Sequence, residues 1–124
     1  MLAFPDVEKA VVAYLKNAFA DVHVATKKVA ADADQPSEQI VVQFAYNREQ
    51  NTVTRIGSLT LDVYANDYAT ANDLALLVEA NIRGLAGGVV KKVEVAVGPV
   101  RVAEETEQEK RSLDVQLTVA GFEI

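Results

Sequence analysis

Cysteine is absent from this chain of 124 residues, and histidine occurs once, as His23. These shortages remove disulfides, thiolate nucleophiles and every zinc site built on sulfur, and they leave any Ser/His/Asp arrangement a single histidine to use. Tryptophan is also missing, and no apolar run approaches the roughly 20 residues that a membrane-spanning helix needs. The opening MLAFPDVEKA carries neither a basic region nor a continuous apolar stretch, so a chain made and kept in the cytosol is expected. Basic side chains are in deficit, 12 against 18 acidic ones, for a formal net charge of −6. That balance repels phosphate backbones and argues against tight nucleic-acid binding.

What remains is the composition of one compact domain spanning residues 1–124, with 50% apolar and 24% charged residues. A chain of this length buries enough surface to fold without a metal or a disulfide, so no cofactor is expected. No internal repeat and no linker divides it.

Phe4, Val7, Val11, Tyr14, Leu15 and Ala18 recur at helical spacing, with Glu8, Lys9, Lys16 and Asn17 mostly opposite. Pro5 suits a first-turn position, and Asp6 and Glu8 place negative charge at the positive end of the helix dipole. From Asp21 the period changes to two, and Val22, Val24 and Thr26 predict a strand ending near Lys28. The segment 30–38 contains Pro36 and no apolar period, which predicts a loop.

Ile40, Val42, Phe44 and Tyr46 share one face of a second strand, and a longer alternation over 52–65 predicts a third that pairs with it as a hairpin. Arg55 and Gly57 interrupt the apolar face of that third strand, so its first half is expected to project beyond the core. Thr70-Ala71-Asn72-Asp73 resembles a capping box ahead of a second helix, which Gly87-Gly88 would stop. Val93, Val95 and Val97 predict a fourth strand up to Gly98-Pro99, with Val100 to Ala103 able to continue it as a bent strand. Residues 104–110 predict a charged loop tip, and Leu113, Val115, Leu117 and Val119 predict a closing strand.

The expected class is α+β: a mostly antiparallel sheet of about five strands with two helices on one face, in the order α-β-β-β-α-β-β. Thr54, Thr60, Asp62, Asp114, Gln116 and Thr118 fall on the far face, which should meet water or another copy.

Chemistry-bearing patterns are sparse. Asp32, Asp34 and Glu38 begin like a calcium loop, but Ser37 stands where the turn glycine belongs and Gln43 where the bidentate glutamate belongs. Gly87-Gly88 leads from helix to strand, the reverse of a phosphate-cradling order. Gly57-Ser58 lacks the second flanking glycine of a nucleophile elbow. Asp21 and His23 could share a strand face, an arrangement far more often a surface pair than a catalytic one. Lys27-Lys28 and Lys91-Lys92 lack interleaved aromatics and suit solvated strand ends. Glu104, Glu105, Glu107 and Glu109 concentrate negative charge, normally a solubility feature of a loop tip.

The succession FPDVEKAVVAYLKNAF, VHVATKKV, LTLDVYANDYATANDLALLVEANIRGL, VGPVRV and RSLDVQLTVAGF resembles the tail terminator proteins of long-tailed bacteriophages. The likeness runs in order over nearly the whole chain and lies in order, spacing and length rather than in one motif. It departs from many relatives after Lys27-Lys28-Val29, where an alanine- and aspartate-rich stretch delays the proline to Pro36.

The resemblance implies a non-enzymatic virion protein, made in the host bacterial cytoplasm. Such a protein forms a ring, commonly a hexamer, on the head-proximal end of the tail tube, where it ends tube polymerisation and meets the head connector. DNA would pass through the ring without tight binding. In that setting Arg48, Glu49 and Arg55 on the projecting hairpin are expected to face a neighbouring subunit, and Glu104, Glu105, Glu107 and Glu109 to face the lumen or a partner ring. Two alternatives stay open: another small ring-forming neck or tail-tube protein, and a ferredoxin-like module that binds a small ligand. An enzyme built on Asp21 and His23 is a third, weaker rival.

Overall fold

The computed structural model describes residues 2–30, 34–49, 51, 53–103 and 108–123. In chain order these form β1 (Leu2–Ala3), α1 (Val7–Ala18), β2 (His23–Ala25), β3 (Glu38–Glu49), β4 (Thr54–Ala65), α2 (Tyr68–Ile82), a 3-10 turn (Arg83–Leu85), β5 (Val90–Val102), β6 (Glu109–Ala120) and β7 (Phe122–Glu123). Five strands make one sheet in the order β2-β3-β4-β6-β5. β2 runs parallel to β3, and every other neighbouring pair is antiparallel. The fold is therefore α+β, with two helices and a mostly antiparallel sheet. A second, two-stranded sheet pairs β1 with β7 and ties the ends of the chain together, with Leu2 opposite Glu123.

The alternation read in the sequence is what selects the buried face. Ile40, Val42, Leu59, Leu61, Val63, Leu113, Val115, Leu117 and Val119 are all buried in one cluster with Val7, Val11 and Leu15 of α1 and Leu74, Ala75, Val78 and Ile82 of α2. Each large aliphatic side chain there contributes roughly 1.5–3 kcal/mol by leaving water. The Tyr14 hydroxyl donates to the Asn81 carbonyl at 2.6 Å, joining the two helices.

Several local expectations are corrected. Pro5 precedes α1 rather than opening it, because the Asp6 carboxylate accepts from Lys9 N–H and caps the helix. α2 begins earlier than Thr70: Asp67 is its N-cap, and Thr70 serves that cap by donating both its N–H, at 2.8 Å, and its hydroxyl, at 2.9 Å. α2 also ends before the glycines. Gly87 and Gly88, at φ +147° and +54°, instead form the turn into β5, a backbone path that L side chains rarely follow. β2 is three residues long and does not reach Lys28. β5 passes through Gly98-Pro99 as one strand, absorbing the break in shifted registers.

The Gly57 position answers a packing need. A Cβ there would overlap the Phe44 ring, so glycine lets that ring lie across β4. The register shift of the hairpin falls opposite, between Tyr46 and Arg48 of β3.

Candidate assembly surfaces

The hairpin end is the first surface. Among the described residues β2 pairs only with Gln39–Val41 of β3, and from Val42 onward β3 has no strand beside it on that flank. One open backbone donor is masked from within the chain: the Glu8 carboxylate accepts Phe44 N–H at 3.0 Å. At the other side of the sheet β5 is also an edge, interrupted by three register shifts. Interruptions of this kind discourage uncontrolled strand addition.

Arg55 projects from β4 toward the helix-side face, where it meets aromatic rings of its own chain. Its guanidinium carbon lies 4.4 Å from the Phe4 ring centroid and 5.8 Å from that of Tyr46. Tyr46 in turn packs edge-on to Phe4 and Phe44 and donates its hydroxyl to the Pro5 carbonyl at 2.8 Å. Burial pushes the Tyr46 phenol above its ordinary range, against the opposing pull of Arg55 and with a further push from Asp6. The N-terminal segment thus covers one face of the hairpin end, and Arg55 remains half-buried rather than projecting freely. In backbone register Arg48 lies opposite Ile56, and Glu49 lies opposite Arg55.

Part of the segment expected as an acidic tip is strand. Glu109 and Lys110 belong to β6, and Gln108 just before them is buried, while Glu104, Glu105 and Glu107 lie outside the described residues. Glu109 sits in a strand rather than a loop: it accepts from Arg101 through Nε at 3.1 Å and Nη2 at 2.9 Å, and from Arg111 Nη1 at 3.2 Å. Those hydrogen bonds, Arg101 first and then Arg111, hold its carboxyl below the usual range. Arg111 is buried, and its Nη2 has no hydrogen-bond acceptor among the described residues. The Tyr68 ring, 4.7 Å from the Arg111 guanidinium carbon, offers that cation a negative face instead.

Sequence patterning missed a polar hub on the far face of the sheet. Gln108 donates to the carbonyls of Pro36 and Ser37 and to Asn66 Oδ1, and accepts from Gln39 Nε2 at 2.9 Å. Gln39 also accepts Val29 N–H at 2.8 Å. This arrangement fastens the segment after β2 over one end of the sheet, where Lys28 and Lys110 lie over the Tyr64 ring. Two glutamines are buried here because their amides satisfy backbone groups far away in sequence. Elsewhere on the far face two side-chain hydrogen bonds cross between β4 and β6, Ser112 to Asp62 at 2.8 Å and Thr60 to Asp114 at 3.2 Å.

No catalytic cluster emerges among the described residues. Asp21 and His23 are both exposed, and no described hydrogen bond or ion pair joins them. Asp32 lies outside the described residues, Asp34 is exposed, and no group of three or more His, Asp or Glu is placed to hold a metal ion among those described. Lys92 pairs with Glu94 on its own strand. The surface depressions, such as the one of about 310 Å³ between Pro5–Glu8 and Phe44–Tyr46, are open to solvent. No helix among the described residues is long and apolar enough to cross a membrane.

The third surface is the outside of α2, where Leu76 and Leu77 are 51% and 55% exposed. Asp73 joins them around a shallow depression. Comparison with known proteins finds no matching family model and no matching curated protein.

Proposed function

We propose that this chain is a structural subunit of a phage tail that closes into a ring, commonly of six copies, on the head-proximal end of the tail tube. There it would end tube polymerisation and present a surface to the head connector. The observation that carries the reading is a sheet that, among the described residues, is open at both sides: β5 at one edge, and β3 beyond Val42 at the other. Two different edges on one subunit suit a head-to-tail contact, which closes a ring when the rotation between copies allows it. The likeness of the chain, segment by segment, to tail terminators supplies the rest of the proposal.

Arg48, Glu49 and Arg55 belong to the hairpin end that would meet the neighbour, with Arg55 offering only its solvent side. Glu104, Glu105 and Glu107 would face the lumen or the partner ring, where negative charge repels passing DNA. Glu109 is assigned instead to holding Arg101 and Arg111.

Adding the purified chain to polymerising tail tubes of the same phage tests the proposal. Growth should stop with a disc at one end of each tube in electron micrographs. Tubes that keep growing with bare ends would contradict it.

A further inference from the structure

We infer that the outer face of α2 is a contact between two copies of this chain, with the two α2 helices antiparallel. This inference does not rest on the ring reading.

α2 buries Ala71, Leu74, Ala75, Val78 and Ile82 against the sheet. Its opposite side carries Ala69, Asp73, Leu76 and Ala80, continued by Arg83 at the C-cap, all exposed, with Leu77 beside them. The spacing of those five positions alternates four and three residues, the stripe that one helix presents to another. A helix apolar on both sides belongs between two layers, and here only the inner layer is supplied by the chain itself.

Charge specifies the second layer. Asp73 and Arg83 lie equally far on either side of Val78 along the helix, and so do Leu76 and Ala80. A two-fold axis at the height of Val78 therefore sets Asp73 against Arg83 of the partner subunit and Leu76 against the partner subunit's Ala80. The charged pair and the leucine-over-alanine pair each form twice, and the helix dipoles oppose each other. A parallel arrangement would align Asp73 with its own copy. The nearby charges do not prevent this pairing. Arg83 is 60% exposed, and among the described residues its one ion pair is a long contact, 3.4 Å, with Glu79, whose own side chain is 20% exposed.

One helix face offers less than the about 800 Å² per partner of stable complexes, so the contact should form at about 0.01–1 mM. Sedimentation velocity over that range should show a step that doubles the mass, from monomer to dimer or from one assembly to a pair of assemblies. Leu76→Glu should abolish the step, and Asp73→Arg should weaken it about tenfold or more. The double variant Asp73→Arg with Arg83→Asp should restore it, because each swapped charge again meets its opposite.

All three side chains are exposed, so each variant should melt as the native chain does. No doubling step in the native chain, a step that survives Leu76→Glu, or a double variant that stays as weak as Asp73→Arg would each overturn the inference. The mass of a single closed ring is read separately from this step, so the two readings fail independently.

Discussion

α1 and α2 press the same kind of apolar stripe onto the same face of one sheet, yet their outward sides differ. α1 turns Lys9, Lys16 and Asn17 to solvent, whereas α2 turns out Leu76 and Leu77. An inward stripe reports only that a helix belongs to the core. The outward side reports what the helix is suited to lie against: α1 presents water-facing side chains, whereas α2 presents the exposed leucines proposed to meet a second copy. The sheet repeats the lesson at its edges, since β2 shields only the first part of β3 and leaves the hairpin end open.

The inward faces should prove equal. Leu15→Ala in α1 and Ile82→Ala in α2 each remove a fully buried side chain, and each should cost about 2–5 kcal/mol in urea unfolding. A large gap between the two would break the comparison at its base.

The caps come next. Asp6→Ala removes the acceptor of Lys9 N–H and should cost about 1 kcal/mol. Asp67→Asn tests the matching cap of α2 through pH. The Thr70 backbone N–H, then its hydroxyl, hold the Asp67 carboxyl below its ordinary value of 3.8. A carboxyl depressed in the folded state stabilises fully above its unfolded value, and that contribution fades as pH falls through the lower folded one. The native chain should therefore lose stability relative to Asp67→Asn as pH drops below about 4. Parallel stability curves for the two proteins between pH 5 and pH 2 would refute this assignment.

The outward faces should barely register in monomer stability. Lys16→Ala and Leu77→Lys should both stay within about 0.5 kcal/mol of the native chain in thermal melts. Their assembly behaviour should separate them: Lys16→Ala associates like the native protein, whereas Leu77→Lys associates less.

Much of this was legible in the sequence where a period runs long enough. β3, β4 and β6 follow from alternating valines and leucines, and the buried stripes of both helices follow from helical spacing. Shorter or long-range features left no such trace. β1 and β7 are two residues each, too brief for any period to appear. The start of α2 was misplaced because Thr70 looks like a cap, while its actual role is to donate to Asp67 from within the first turn. Nothing in the alternation marks Gln39, and Gln108 falls within the predicted loop tip; contacts with backbone groups up to 72 positions away make their burial tolerable. Arg55 was expected on a projecting strand that faces a neighbouring subunit, and its packing on the Phe4 ring, a contact distant in sequence, left no local pattern. The exposed leucines of α2 were hidden by the regularity of the stripe beside them.

The central claim is that this chain is built to assemble. Its most direct test is the mass of the native protein in solution by light scattering over a concentration series, with negative-stain images of the same fractions. The account predicts closed rings of about six copies with a central hole, the head-to-tail closure expected of two unlike edges. A monodisperse monomer at every concentration, with no ring in any image, would contradict it.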